Sequence, residues 1–269
     1  MAKSEFPKPK KLQHPNYFMD AQLSKAWDET CQILLGGQLG DIADYEKYLM
    51  KYVEEVQFRK SALSGKKVTT SSPSFCKSAK FISLDEQEKY DKMFREVKLN
   101  VNEIKDIDSI VSAIREKFYY GGNLISGNSS NFEDCDSCAN SRYLHHCNEL
   151  YDCKFMAYSS VLRFCEYCFG SSGGGETKFC INCYEVFEQN RCMENFRCYT
   201  CNDCFYCATL EQCNNCLFSF NQKNKIDCIG NLQLEKEKFF ELKKKLLDEM
   251  REELKKKKEI PSILDLMKG

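Results

Sequence analysis

The chain has 269 residues, with 39 Lys and Arg against 40 Asp and Glu, 3 His and 18 Cys. Its 42% apolar and 13% aromatic content suffices for one or two domains with a sizeable core, which excludes global disorder. A net charge of −1 excludes whole-chain electrostatic binding of nucleic acid or membrane and leaves only local patches.

Residues 1–19 (MAKSEFPKPKKLQHPNYFM) are rich in Pro and Lys and read as an extended basic arm. No apolar h-region follows these lysines, and no apolar run reaches the about 18 residues of a membrane span. The expectation is therefore a cytoplasmic protein with no membrane association. In a reducing compartment, many cysteines point to metal sites or small buried hydrophobes before disulfides.

A mainly helical region is expected over 20–122. Leu23, Trp27, Cys31 and Leu34 or Leu35 recur at helical steps and stop at Gly36-Gly37, a C-terminal cap. Asp41 caps a second helix, whose apolar face runs through Tyr45, Tyr48, Leu49, Tyr52, Val53 and Val56. The stretch SALSGKKVTTSSPS breaks that period and reads as a turn or short hairpin. Asp85 with Glu88 resembles a capping box ahead of Tyr90, Met93, Phe94 and Val97. A fourth helix carries Ile104, Ile107, Val111, Ile114 and Phe118 before Gly121-Gly122, and these stripes read as core.

Sixteen of the 18 cysteines lie between Cys135 and Cys228, and each of the sixteen has a number divisible by three. The other positions of that register are mostly small or aliphatic, among them Ser141, Leu144, Leu150, Met156, Ser159, Leu162 and Val186, with Gln189 and Asn195 as polar exceptions. A period of three fits neither an α-helix nor a flat strand, but it fits a narrow solenoid that turns one side chain inward and two outward. Rows of fifteen align Cys138, Cys153, Cys168, Cys183, Cys198, Cys213 and Cys228, whereas rows of twelve align only Cys168 to Cys228. The expected fold class is α+β: a helical N-terminal region, a cysteine-lined β-solenoid over 130–232 with about seven 15-residue coils, and a long C-terminal amphipathic helix. Phe169, Tyr184 and Tyr199 would then share one outward column and stack as a ladder, and Gly173-Gly174-Gly175 would bulge as a surface turn.

The closing region, 233–269, carries Phe239, Leu242, Leu246, Met250 and Leu254 at helical spacing, which describes a capping helix ending before Pro261. The run Lys255–Lys258 is flanked by Glu252, Glu253 and Glu259 and reads as a helix end that complements the macrodipole.

The C-x-x-C pairs admit two readings. As thiolate ligands they suit zinc, an iron–sulfur cluster or Cu(I), and the densest place is Cys198, Cys201, Cys204, Cys207, Cys213 and Cys216. As packing, they are only the inward register of the solenoid, which also explains why Ser, Leu and Val replace Cys in it. Packing without a cofactor takes precedence, and disulfides between adjacent coils are the third reading. His145-His146, beside Cys147 and Cys153, suits either a solvated turn or a mixed Cys/His site. His14 is the only other histidine, no H-E-x-x-H or G-x-S-x-G is present, and the triple glycine lacks the strand–helix context of a phosphate loop, so no enzyme is expected.

The closing stretch CNNCLFSFNQKNKIDCIGN (213–231) and the segment RKSALSGKKV (59–68) resemble uncharacterised cysteine-rich repeat proteins of metagenome-derived prokaryotic genomes. Many of those resemble zinc-ribbon proteins at the N-terminus, where this chain has only Cys31 and Cys76 and no paired C-x-x-C. The resemblance implies a solenoid and supplies no mechanism. The expected function is a non-enzymatic interaction or assembly protein with a protein partner. The second reading is a metal- or iron–sulfur-binding protein for electron transfer, storage or enzyme maturation. A third places the Lys-rich tails on RNA or a ribosome, since the solenoid, with 13 acidic and 8 basic residues over 133–232, is a poor nucleic-acid surface.

Overall fold

The structure, a computed structural model, describes residues 21–71, 79–95, 98–115 and 117–267. The arm at 1–19 with His14, Cys76 and Val97 lie outside the described residues.

The period of three originates in the backbone. Every third residue from Asn131 to Gly230 has a positive φ, from +48° at His146 to +72° at Gly173. A left-handed residue costs a non-glycine about 1–2 kcal/mol, and it bends the chain. The bends are offset by a continuous ladder. Each left-handed N–H donates to a carbonyl one coil back (His146 to Glu133 and Tyr158 to His145, both 3.0 Å), and the residue before it donates one coil forward (Arg142 to Cys153, 3.0 Å).

Four such triplets close one turn, so the coil is 12 residues long rather than the expected 15. Parallel strands pair at that offset throughout: Lys154 with Glu166, Met156 with Cys168, and Cys216 with Cys228. Only the first coil is longer, with Ile125 opposite Cys138. The stack has about nine turns, a rod of roughly 40 Å at the usual strand spacing. The fifteen-residue alignment failed because cysteine is not the only inward residue. Below Cys168 the true column continues as Met156, Leu144 and Phe132, larger side chains that a count of cysteines skips.

Two parallel sheets form opposite faces of the rod. On one, Ala157, Phe169, Ile181, Met193, Phe205 and Leu217 stand in register and are fully buried. They form one core with Leu23, Trp27 and Leu34 of α1 (Ala21–Leu35), and with Phe239, Met250 and Leu254 of the C-terminal helix Lys236–Lys257. Trp27 packs edge-on to Phe169 at 5.2 Å between centroids, and burial of each such side chain contributes about 1.5–3 kcal/mol. The flanking helices thus cover a face, and the rod's C-terminal edge is closed otherwise. Leu232-Gln233 folds back antiparallel on Ile226–Ile229, and Asn231 fills in for the next coil, its Oδ1 accepting from Phe220 N (2.8 Å) and its Nδ2 donating to Phe220 O (3.0 Å).

The Gly173-Gly174-Gly175 segment is not a bulging turn. Ser172–Gly175 is a paired strand whose middle residue occupies an inward position, where a Cβ would lie 1.9 Å from Val186 O. Phe169, Tyr184 and Tyr199 likewise do not share a column, since twelve-residue coils put Phe169 under α1 and Tyr199 on the opposite face. The stacked ladder is Tyr143, Phe155, Tyr167 and Phe179, with centroids 4.9–5.0 Å apart.

The N-terminal region mixes helices and strands. α1 ends at Gly36, as its spacing predicts, with Gly36 N bonded to Gln32 O at 3.1 Å. Asp41 caps the next turn through Ala43 N (3.0 Å), but α2 spans only Glu46–Leu49, and the chain is a strand from Gln57, so the long second helix does not form. β1 (Gln57–Lys60) and β2 (Lys67–Thr70) make the expected hairpin. β3 (Lys80–Ser83) runs parallel to β4 (Tyr119–Gly122). The capping box ahead of α3 (Gln87–Phe94) is Ser83 with Glu86, not Asp85 with Glu88, because the strand ends at Ser83. α4 (Ile107–Arg115) buries none of its residues: Ile107 is 79% exposed, and Ile104, Val111 and Phe118 are exposed with it, so this stripe is not core. The C-terminal helix, α5, ends before Pro261 as its spacing predicts and stops at left-handed Lys258.

Candidate binding surface and thiol interior

The interior is a lattice of neutral polar contacts. The inward residue of a triplet aims its N–H inward at the side chain one coil back: Cys153 N donates to Ser141 Oγ (3.0 Å), Cys183 N to Ser171 Oγ (3.1 Å) and Cys207 N to Asn195 Oδ1 (3.1 Å). The inward serines and cysteines in turn donate to the carbonyl two residues before them, as Ser141 does to Ala139 O (2.8 Å) and Cys207 to Phe205 O (3.3 Å), whereas Thr177 donates to Cys165 Sγ (3.2 Å). Cysteine and serine are therefore equivalent parts. Where the acceptor is sulfur, Cys201, raised chiefly by Cys204, and Cys207, raised chiefly by burial, face the backbone N–H of Cys213 and Ser219, which lowers each in part. An apolar side chain offers that inward N–H no acceptor, and a buried N–H without one costs about 1–3 kcal/mol. Thiols meet the need at small volume and little desolvation.

Burial raises most of these thiols above the ordinary thiol range. Burial pushes Cys192 up to about 11 and Cys198 up to about 12. Cys165 is drawn the other way by hydrogen bonds from Cys153, Cys168 and Thr177, whose Oγ1 lies 3.2 Å from its sulfur.

The six sequence-nominated ligands are all buried and all point inward. Cys198, Cys201, Cys204 and Cys207 are the four inward residues of a single coil, and Cys213 and Cys216 belong to the next. The thiols of Cys192, Cys201, Cys207 and Cys216 are the neighbours that act on the Cys204 thiol, whose own hydrogen bonds go to Asn202 O (3.2 Å) and Cys213 O (3.8 Å). Among the described residues, no three His, Cys, Asp or Glu side chains are gathered so as to hold a metal ion.

The period of three also separates the histidines from the thiols. Cys147 and Cys153 face inward, whereas His145 and His146 face out and meet the carboxylates of the preceding coil, His145 Nδ1 with Glu133 (3.2 Å) and His146 Nε2 with Asp134 (3.5 Å). Burial, then the adjacent His146, lowers the His145 pKa. Phe58 of β1 packs edge-on to His146, and Lys67 of β2 pairs with Asp134, so the cluster ties the hairpin to the rod. In the run Lys255–Lys258, Lys255 pairs with Glu252, Lys257 with Glu253 and Lys258 with Asp44.

Among the described residues, the second face keeps one outer column open to solvent, while its other edge is covered where Tyr52 packs on Tyr184 and Asn148 donates to Glu54 O. Tyr151, Arg163, Gly175, Phe187 and Tyr199 stand in one register column across it. Tyr151 is 41% exposed, Phe187 43% and Tyr199 46%. A shallow open depression beside Gly173 and Gly174 is bordered by Glu185, Phe187 and Tyr199. Arg163 stacks on Tyr151, and Arg197 pairs with Glu185. Inward residues announce themselves by periodicity, but this column does not, because aromatics spaced by twelve are visible only once the coil length is known.

Among the described residues, no helix is long and apolar enough to cross a membrane. No family model matches the chain, and no curated protein matches it.

Proposed function

We propose that the protein is a non-enzymatic interaction or assembly module that offers the open outer column of its solenoid to a protein partner. The observation that carries this reading is the asymmetry of the two faces. One is sealed by α1 and α5, while the other keeps Tyr151, Phe187 and Tyr199 in register and open to solvent. Rigid rods with an uncovered aromatic column suit recognition, since aromatic rings give large contact area at low entropic cost. The interior lattice supports the reading by making that column stiff. The test is photo-crosslinking from position 199 in extracts of the source cells, compared with the Phe187→Asp and Tyr199→Asp proteins. A partner crosslinked in the parent and lost in both variants, with unchanged melting, supports the reading. A partner retained by both overturns it.

A second reading, thiolate binding of zinc or an iron–sulfur cluster, is favoured by the four thiol neighbours of Cys204. It requires those sulfurs to close in and lose their protons. Elemental analysis with a free-thiol count, on protein purified without oxygen or chelator, decides it: stoichiometric metal with protected thiols is expected if it holds, and about 18 free thiols without metal removes it.

A further inference from the structure

We infer that the cysteine column Cys168–Cys228 is a latent disulfide ladder, which a small-molecule disulfide closes between neighbouring coils in a fixed pairing that starts at Cys216 and Cys228. This is independent of the open-column reading. Cys168 is the Cα partner of Cys180, Cys180 of Cys192, and Cys216 of Cys228 in adjacent parallel strands. Strands in register stand about 4.8 Å apart, inside the Cα range of about 4.4–6.8 Å that disulfides span. All six side chains are buried together in the solenoid interior.

The pairing follows from the ends of the column. Its lower neighbour is Met156, and after Cys228 the chain folds back, so Cys228 has one column partner, Cys216. Once those two join, Cys204 is left to Cys192 and Cys180 to Cys168, and three rungs consume all six thiols. The order follows from solenoid mechanics. A coil touches only its neighbours, so the last one opens at lower cost than any inside the stack, and buried thiols react only when opened.

The step balances as thiol–disulfide exchange. The Cys228 thiol loses its proton and attacks one sulfur of glutathione disulfide, releasing glutathione and leaving a mixed disulfide. Cys216, deprotonated in turn, attacks the Cys228 sulfur and expels the second glutathione. Two protein thiols are oxidised to one disulfide, and one small disulfide is reduced to two thiols.

The test uses the full chain with excess glutathione disulfide, followed by alkylation and peptide mapping without reductant. The expected first product is the Cys216–Cys228 linkage, with loss of about 2 Da, a higher melting midpoint, and later the Cys192–Cys204 and Cys168–Cys180 linkages. Cys216→Ser should fold, because serine already serves at Ser171 and Ser219 in the same lattice, and it should leave Cys228 as a glutathione adduct. First linkages within one coil, such as Cys213–Cys216, or links that form only between chains or only after unfolding, would overturn the inference, provided circular dichroism shows the variant folded.

Discussion

The hydroxyl of Tyr48 in α2 donates to Glu194 Oε1 at 2.6 Å, across 146 residues of sequence. Glu194 sits on a corner of the rod, fully buried, and also accepts from Asn182 Nδ2 (2.9 Å), Ser262 Oγ (2.8 Å) and Ile263 N (2.8 Å). One carboxylate thereby holds the short helix, the solenoid and the returning C-terminal segment together. Tyr48→Phe removes a donor to a charged acceptor and should cost about 1.5–3 kcal/mol of stability, measured by denaturant unfolding. A loss under about 0.5 kcal/mol, the range of ordinary surface changes, would mean that the carboxylate does not anchor α2.

Two carboxylates that tie down the C-terminal segment, Glu194 on the rod and Asp265 on the segment itself, should give opposite pH slopes. Burial raises the Glu194 pKa above 4.5 despite its four donors. The folded state then binds the proton more tightly, so this contribution is complete below 4.5 and is lost as pH rises through the raised value. Asp265, bonded to Lys51 and Tyr52, is lowered to about 2 from 3.8. Its contribution is complete above 3.8 and fades as pH falls toward 2. Glu194→Gln should abolish the decline on the alkaline side of 4.5, and Asp265→Asn the decline on the acid side of 3.8. Melting curves across pH 2–8 check both, and swapped assignments would refute the paired account.

Much of the fold was legible because the period of three is imposed by left-handed backbone at every third residue, which returns one side chain in three to the interior. Coil length was not legible from cysteine alone, since Met156, Leu144 and Phe132 continue the column that Cys168 begins. The triple glycine hid a strand, because Gly174 is inward and Gly173 is a corner, and glycine suits both. The end of the second helix and the exposed stripe of α4 were misread for a shared reason. Helical spacing reports an apolar face and does not say whether anything covers it.

That stripe gives a direct prediction. With Ile107 79% exposed and Val111 exposed beside it, Ile107→Glu should change stability by no more than about 0.5 kcal/mol, as for surface positions. It should also reduce any self-association of the purified chain, because isolated exposed apolar stripes favour sticking. Unfolding curves and light scattering read the two effects separately. A loss of several kcal/mol would instead place this face in contact with a part of the chain outside the described residues.

The interior lattice predicts an order of tolerance at one position. Cys183 receives its lattice contact through its own N–H, donated to Ser171 Oγ, and donates its thiol to Ile181 O at 3.6 Å. Cys183→Ser keeps donor and acceptor and should cost about 1 kcal/mol, the added desolvation of a hydroxyl. Cys183→Val keeps volume but loses both, and should cost about 1–3 kcal/mol. Cys183→Arg buries an unpaired charge and should not fold. Urea midpoints for the three rank them, and a valine protein as stable as the serine one would show that volume alone governs the register.

The coil length has a more decisive test in deletion. Removing residues 196–207 takes out twelve residues and four triplets, so Asn195 would be followed by Ala208, and every later inward column would keep its register. Solenoid stability is close to a sum over coils and their interfaces, so this shorter rod should fold, with a smaller unfolding slope in urea. Removing residues 196–210 takes out five triplets. Inward residues would still face inward, but each would move a quarter-turn around the rod. The Leu217 column would leave the helix-covered face, and Glu235 onward could no longer lay α5 along it. The twelve-residue deletion should retain cooperative unfolding and near-parent thermal midpoint, and the fifteen-residue deletion should lose both. The reverse result would restore the fifteen-residue coil.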